Sequence, residues 1–328
     1  MRGAEVVSSS VLGFHGGDEG RVVRFRAAGR PRESIRLAVT SIGVTQVQWE
    51  SAAKLKQDRS LARYEGFNAV FNSILREAKR PDYIVLPELC IPLRWALRAA
   101  RKLATNGVSL LAGVEYHRDP ITKKLRNDCL VSLTTFWPGY ASSVVLLQPK
   151  FAPAHGEREG LEKLLGKRNR FFTPTGPQSK PTIYEHRGFF FSPLICSDLT
   201  NIDHRSAIRG EVDALFALNW NPDTKTFASL VEASAADLHA FVIQANNRAY
   251  GDSRIRAPAA KDYERDVVQV RGGVVDYYVL GEINVSQLRR EQHRPPGVIK
   301  PGTKGVNRTK FKPLPIGYIS GAARKAVK

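Results

Sequence analysis

The chain has 328 residues, 42% of them hydrophobic, and carries three cysteines and a formal net charge of +19. That is enough apolar content for one large domain or two small ones with a buried core. Cys90, Cys129 and Cys196 make no disulfide framework, so a reducing, cytoplasmic setting is expected. No apolar run approaches a bilayer-spanning length and the first twenty residues do not read as a signal peptide, so no membrane contact is expected. The strong positive charge points instead to a polyanion or an acidic protein partner.

In chain order, residues 1–33 form a loosely patterned basic flank with Arg21, Arg24, Arg26, Arg30 and Arg32 near its end. IRLAVTSIGV (35–44) predicts a first strand. Over 51–79, apolar residues recur at three- and four-residue intervals (Leu61, Phe67, Val70, Phe71, Leu75), which predicts one amphipathic helix. DYIVLPE (82–88) predicts a short strand stopping at Pro87-Glu88. A helix over 92–105 follows, broken by Asn106-Gly107, and then a strand, VSLLAGVEY (108–116). DCLVSLTTFW and SSVVLLQPK predict two more strands joined at PGYA. FFFSPLIC predicts a buried strand that stops at Cys196-Ser197-Asp198, and VDALFALNW (212–220) another.

A helix over 224–238, a strand over 240–245 and a late strand pair, DVVQVRG and DYYVLGEINV, complete one domain over about 34–293. Gly272-Gly273 reads as the hairpin turn of that pair. Residues 294–328 form a basic tail: 286–328 hold eleven Lys or Arg against the single acid Glu291, and five prolines favour an extended chain. Alternating strands and helices, with strands apolar throughout, predict an α/β fold with sheets covered on both faces. The late strands point to two packed sheets with helices outside.

In such folds chemistry collects at strand ends. Glu88 follows YIVLP, Lys150 follows VVLLQP, Glu157 and Glu159 lie just beyond, and Cys196 follows FFFSPLI. A thiol is a poor nucleophile until a base removes its proton. A buried carboxylate can be that base, and an ammonium can stabilise the anion that forms on an attacked carbonyl. Glu, Lys and Cys therefore make a self-sufficient acyl-transfer set needing neither metal, cofactor nor histidine. His155, His186, His204 and His239 sit in no motif suggesting a base, Cys90 and Cys129 lack metal-ligand spacing, and no phosphate-cradling GxxxxGK[ST] loop is present.

The ordered motifs LPELC (86–90), QPK (148–150) and ICSD (195–198), spaced 62 and 46 residues apart at Glu88, Lys150 and Cys196, resemble the nitrilase (carbon–nitrogen hydrolase) superfamily. So do AGVEYHRDPITKKLRNDCLVS (112–132), VDALFALNWNPD (212–223), FVIQANNRAYGDSRI (241–255) and VVDYYVLGEINVSQLRR (274–290), so that the resemblance spans roughly 34–293. It implies a four-layer α-β-β-α sandwich of two packed mixed sheets. It also implies hydrolysis of a non-peptide amide or nitrile through a Cys196 thioester. Glu88 would be the base, Lys150 with the Ser197 N–H the oxyanion site, and Glu157 the second glutamate, with Glu159 its alternative. The family places that glutamate eight residues after the lysine, where this chain has Arg158 between the two acids. Ser197, Asn127, Asn219 and Glu159 would contact substrate, and a homo-oligomer is expected. A second reading is an interaction module in a larger assembly whose basic flanks bind nucleic acid or an acidic protein.

Overall fold

The computed structural model describes residues 4–8, 21–25, 32–137, 140–166, 171–293, 310–321 and 324. The elements in order are β1 (Ala4–Ser8), β2 (Arg21–Phe25), β3 (Ser34–Ser41), α1 (Gln46–Ala53), α2 (Leu61–Arg76), β4 (Tyr83–Ile91) and α3 (Leu93–Ala104). Then come β5 (Ser109–Arg118), β6 (Leu125–Trp137), β7 (Tyr140–Pro149), α4 (His155–Leu165), β8 (Thr182–His186), β9 (Phe189–Ile195) and α5 (Ile202–Ile208). The last are β10 (Ala214–Asn219), α6 (Thr224–Leu238), β11 (Phe241–Asn246), β12 (Ser253–Arg256), β13 (Asp266–Val270), β14 (Tyr277–Asn284) and α7 (Val285–Gln292).

The strands form two mixed sheets, β14-β3-β4-β5-β6-β7 and β1-β2-β8-β9-β10-β11-β12-β13. The two-residue pleat sorts side chains between layers. Leu37, Val39, Val85, Leu111 and Val131 join Phe191, Phe216 and Ile243 in the core between the sheets. Their neighbours Ala38, Ile84, Leu86, Leu110 and Leu130 pack instead with Phe67 and Ile74 of α2 and Trp95 and Leu103 of α3. On the second sheet, α6 buries Phe227, Val231, Ala235 and Leu238. The result is the expected four-layer α-β-β-α sandwich. A polar tie joins the sheets: the Tyr83 hydroxyl donates to His186 Nδ1 at 2.6 Å, and His186 Nε2 donates to the Thr134 carbonyl at 2.7 Å. Burial pushes His186 down to about 4, which keeps the ring neutral and suited to both roles.

The structure departs from the sequence expectations at several points. The helix expected over 51–79 is two helices. The chain breaks between α1 and α2, where Leu55 takes φ 60° and Asp58 accepts the Ser60 N–H at 3.0 Å. DVVQVRG and DYYVLGEINV do not pair with each other. β13 pairs with β12 and β14 with β3, so the Gly272-Gly273 segment carries the chain from one sheet to the other. α4 and β8 were not anticipated. The N-terminal flank supplies β1 and β2, with β2 parallel to β8. Its Arg26 and Arg30, and tail residues 294–309, lie outside the described residues.

The described part of the C-terminal tail docks on the domain. Phe311 is buried and bridges to Ala259, and His239 Nε2 donates to the Lys312 carbonyl at 2.7 Å. Arg324 is fully buried: its guanidinium donates to Asp213 Oδ1 at 2.8 Å, the Gly210 carbonyl at 2.6 Å and Gln292 Oε1 at 2.7 Å. Arg289 meets the same carboxylate, with Nε at 2.8 Å from Oδ1. Burial alone would raise Asp213, but Arg324 and Arg289 outweigh it and hold the carboxyl below its ordinary value.

Removing one guanidinium leaves Asp213 paired with the other. Arg324→Ala is therefore expected to cost about 2 kcal/mol in urea unfolding, less than the roughly 3–5 kcal/mol for stranding a buried charge altogether. A change below about 0.5 kcal/mol would place it among ordinary surface substitutions and contradict the docked tail.

Candidate active site

Glu88 is placed by a bulge in β4. The pairing of β4 with β5 slips between Leu86 and Ile91, and Leu89 adopts φ 52°, a left-handed conformation costly for a branched residue. Gly113 on β5 allows this. A Cβ there would collide with the Pro87 carbonyl oxygen and the Glu88 Cα. The fully buried Glu88 carboxylate accepts from Lys150 Nζ at 2.8 Å, Asn127 Nδ2 at 2.8 Å and the Trp220 N–H at 3.2 Å.

Lys150 follows the last residue of β7, where its N–H donates to the Asn127 carbonyl at 2.8 Å. Its ammonium also meets Glu157 Oε2 at 2.6 Å. Glu157 is the third residue of α4, a position where a carboxylate complements the helix dipole and reaches back to a free N–H. It accepts the Ala154 N–H at 3.1 Å, the Tyr116 hydroxyl at 2.5 Å and Asn127 Nδ2 at 3.3 Å. Glu159 points elsewhere. Its side chain is 67% exposed against 10% for Glu157, and its partner is the exposed His155 at 3.3 Å. The helical turn explains the difference, since residues two apart on a helix face different ways.

Cys196 follows the last residue of β9 and begins a tight turn with φ 48°, again left-handed without being glycine. The neighbouring carboxylate Asp198 secures that turn. It accepts the Ile195 N–H at 3.4 Å and the Phe151 N–H at 3.2 Å, tying the cysteine turn to the residue after Lys150. The Trp220 N–H that binds Glu88 also lies against the Cys196 sulfur.

The charges are distributed unevenly. Burial opposes the Lys150 ammonium, but Glu157 and Glu88 lift its pKa well above the ordinary value, so it stays charged. Burial likewise works against Glu157, yet Lys150 and its hydrogen bonds hold it below the usual glutamate value. For Glu88 burial wins over the pull of Lys150, aided by repulsion from Glu157, and the carboxyl is raised. Burial and the nearby Glu88 also push the Cys196 thiol well up, so it rests protonated. Burial raises Asp198 to about 8 against the attraction of Lys150.

Glu88, Lys150, Glu157, Cys196 and Ser197 line one cavity of about 450 Å³, walled by Trp49, Leu89, Trp220, Pro222 and Phe227. Asn127 stands behind it, bonded to both glutamates. Asn219 is buried at the end of β10 and does not line the cavity. Sequence reasoning singled out neither Gly113, Tyr116, Trp49 nor Trp220. Gly113 lies beside Pro87 and Glu88 only in the folded sheet, so the sequence carried no local signal of the bulge. Among the described residues no His, Cys, Asp or Glu cluster is arranged to hold a metal ion.

No protein-family model matches the chain, and no curated protein matches it significantly. Solved structures do. The chain resembles XC1258 from Xanthomonas campestris, described as a CN-hydrolase superfamily protein with an arsenic adduct in the active site, at 14% identity. The match covers 80% of this chain and 94% of that one, with a TM-score of 0.55. An amidase from Nesterenkonia sp. matches at 15% identity over 82% of this chain and 97% of its own, with a TM-score of 0.53. A mutant of that amidase, showing covalent addition of the acetamide moiety of fluoroacetamide at the active-site cysteine, matches at 14% identity over 82% and 99%, with a TM-score of 0.52. At such identities the likeness is one of architecture, and the fold of this chain is that of the CN-hydrolase, or nitrilase, superfamily.

Proposed function

We propose that the chain hydrolyses a non-peptide amide, or a nitrile, through a thioester on Cys196. The observation that carries this is the convergence of Glu88, Lys150 and Glu157 in one hydrogen-bonded cluster on the cavity that Cys196 lines. The amidase from Nesterenkonia shares the fold, and in a mutant of it the active-site cysteine carries the acetamide moiety of fluoroacetamide by covalent addition, a nucleophilic cysteine that supports the same reading.

For an amide, Glu88 takes the thiol proton as the sulfur adds to the carbonyl carbon, and negative charge builds on the oxygen. Lys150 and the Ser197 N–H stabilise that charge. Glu88 then returns the proton to the nitrogen, the C–N bond breaks and ammonia leaves. Water, losing its proton to Glu88, adds to the thioester. Collapse releases the carboxylic acid and restores the thiol. Glu157 positions Lys150, and Asn127 and Tyr116 hold Glu157 and Glu88 in register.

Cys196→Ala is expected to lower ammonia release from a panel of amides and nitriles by about 10⁴-fold or more, and Glu88→Gln by a comparable factor, with both folds intact. Intact-mass measurement should find an acyl adduct on wild-type protein only. Silence of the wild type across the panel would count against the hydrolase reading.

The pH dependence follows from Glu88, which must be ionised to accept a proton. Its carboxyl is raised above 4.5, so kcat/KM should fall as pH drops through a midpoint above 4.5. An acid limb centred at or below 4.5 would remove Glu88 from the role of base.

A second function is favoured by α3. Arg94, Arg98, Arg101 and Lys102 project on its exposed side and the helix contains no acidic residue. That face suits a nucleic-acid backbone. Replacing all four by Glu should weaken binding of single-stranded RNA at least about tenfold in fluorescence anisotropy and flatten its salt dependence. Unchanged, salt-independent binding would eliminate this reading.

A further inference from the structure

We infer that the cavity selects uncharged amides with an apolar acyl group, and that Trp49 and Trp220 form the wall that recognises it. The inference rests on the reading of Cys196 as the acylated nucleophile and names the substrate class for that site. At about 450 Å³ the cavity has room for an acyl group well beyond acetyl, within the range of about 300–1,000 Å³ common to small-molecule sites.

Its charged lining residues are Glu88, Lys150 and Glu157, and these are committed to one another. The other polar linings, Gln46, Ser197, Thr200 and Asn221, are neutral. Among the described residues, then, no free cation is present to receive a carboxylate at the far end of a substrate. No free anion is present for an ammonium either. Carrying either charge into such a site without a partner is strongly unfavourable.

The apolar wall is fixed in place. The Trp49 and Trp220 rings lie parallel, 2° apart in plane and 6.0 Å between centroids. Tyr116, which holds Glu157, packs edge-on against Trp49 at 6.1 Å, and Tyr250 edge-on against Trp220 at 6.2 Å. Gly160 of α4 lets the helix close on Trp49, since a Cβ there would stand 3.1 Å from the ring. The Trp220 N–H binds Glu88, so the wall and the base share one residue. A flat or branched apolar group packed on these rings therefore sets the distance of its amide carbon from Cys196. Burying such a group against aromatic rings is favourable in proportion to its area.

The test uses three amides built on the same six-carbon chain: hexanamide, the monoamide of adipic acid, and 6-aminohexanamide. Wild-type kcat/KM should favour hexanamide by about 100-fold or more over both charged analogues. Trp49→Leu should raise KM for phenylacetamide more than for acetamide. Calorimetry on Cys196→Ala protein reads binding without turnover, and hexanamide should bind while the charged amides do not. Equal or better use of a charged amide by the wild type would overturn the inference and leave the hydrolase reading standing. Selective binding of hexanamide with no turnover of any amide would do the reverse. Absence of both turnover and binding of hexanamide would also overturn it.

Discussion

Lys150 is an ammonium buried between two carboxylates, and the surrounding structure is arranged to keep it there. A charge of this kind is tolerated only when its partners are fixed and their remaining hydrogen-bonding capacity is filled. Glu88 comes from the bulge in β4, Lys150 from the end of β7, and Glu157 from the first turn of α4. Asn127 of β6 and Tyr116 of β5 complete the bonds to the glutamates. Four neighbouring strands and a helix thus converge on one nitrogen atom. The polar cluster couples folding to chemistry, because the geometry that satisfies the buried charge is the geometry that a reacting carbonyl would meet.

The second sheet contributes through the turn at Cys196. Here Asp198 links two loops by accepting backbone N–H groups from both, which explains why a buried strand ends with a thiol beside a carboxylate. The carboxylate shapes the turn and sets the register between the cysteine and the lysine loop. The strained residues Leu89 and Cys196 lie on the two sides of the cavity, one from each sheet. At the site, left-handed backbone falls where a side chain has to be aimed.

Much of this was legible in the sequence. Strand-end placement of Lys150 and Cys196 followed from apolar runs that stop abruptly, whereas the strand expected to stop at Glu88 runs on through a bulge to Ile91; the order and spacing of the three residues carried the resemblance. The choice between Glu157 and Glu159 did not follow, because α4 begins at Ala154-His155 without a Ser, Thr, Asp or Asn to announce it. Once the helix is known, the two acids face different ways. The periodic pattern over 51–79 hid a break, since apolar spacing continues across it while Leu55 and Asp58 turn the chain. Strand patterns also do not name their partners, so β13 and β14 looked like a hairpin although they lie in different sheets. Arg324 reads as one more charge in a basic tail, and only tertiary structure brings it to Asp213.

The burial of Cys196 has a further consequence in redox chemistry. Oxidation to sulfenic acid proceeds through the thiolate and requires access to the sulfur. Here the sulfur is nearly enclosed and faces a carboxylate that discourages the anion. The resting thiol is therefore a poor target for peroxide, and in the proposed reaction it would become reactive only as its proton passes to Glu88. A thiol held in this way is guarded by its own environment: the same surroundings that would make a base necessary for its reaction also keep the sulfur reduced.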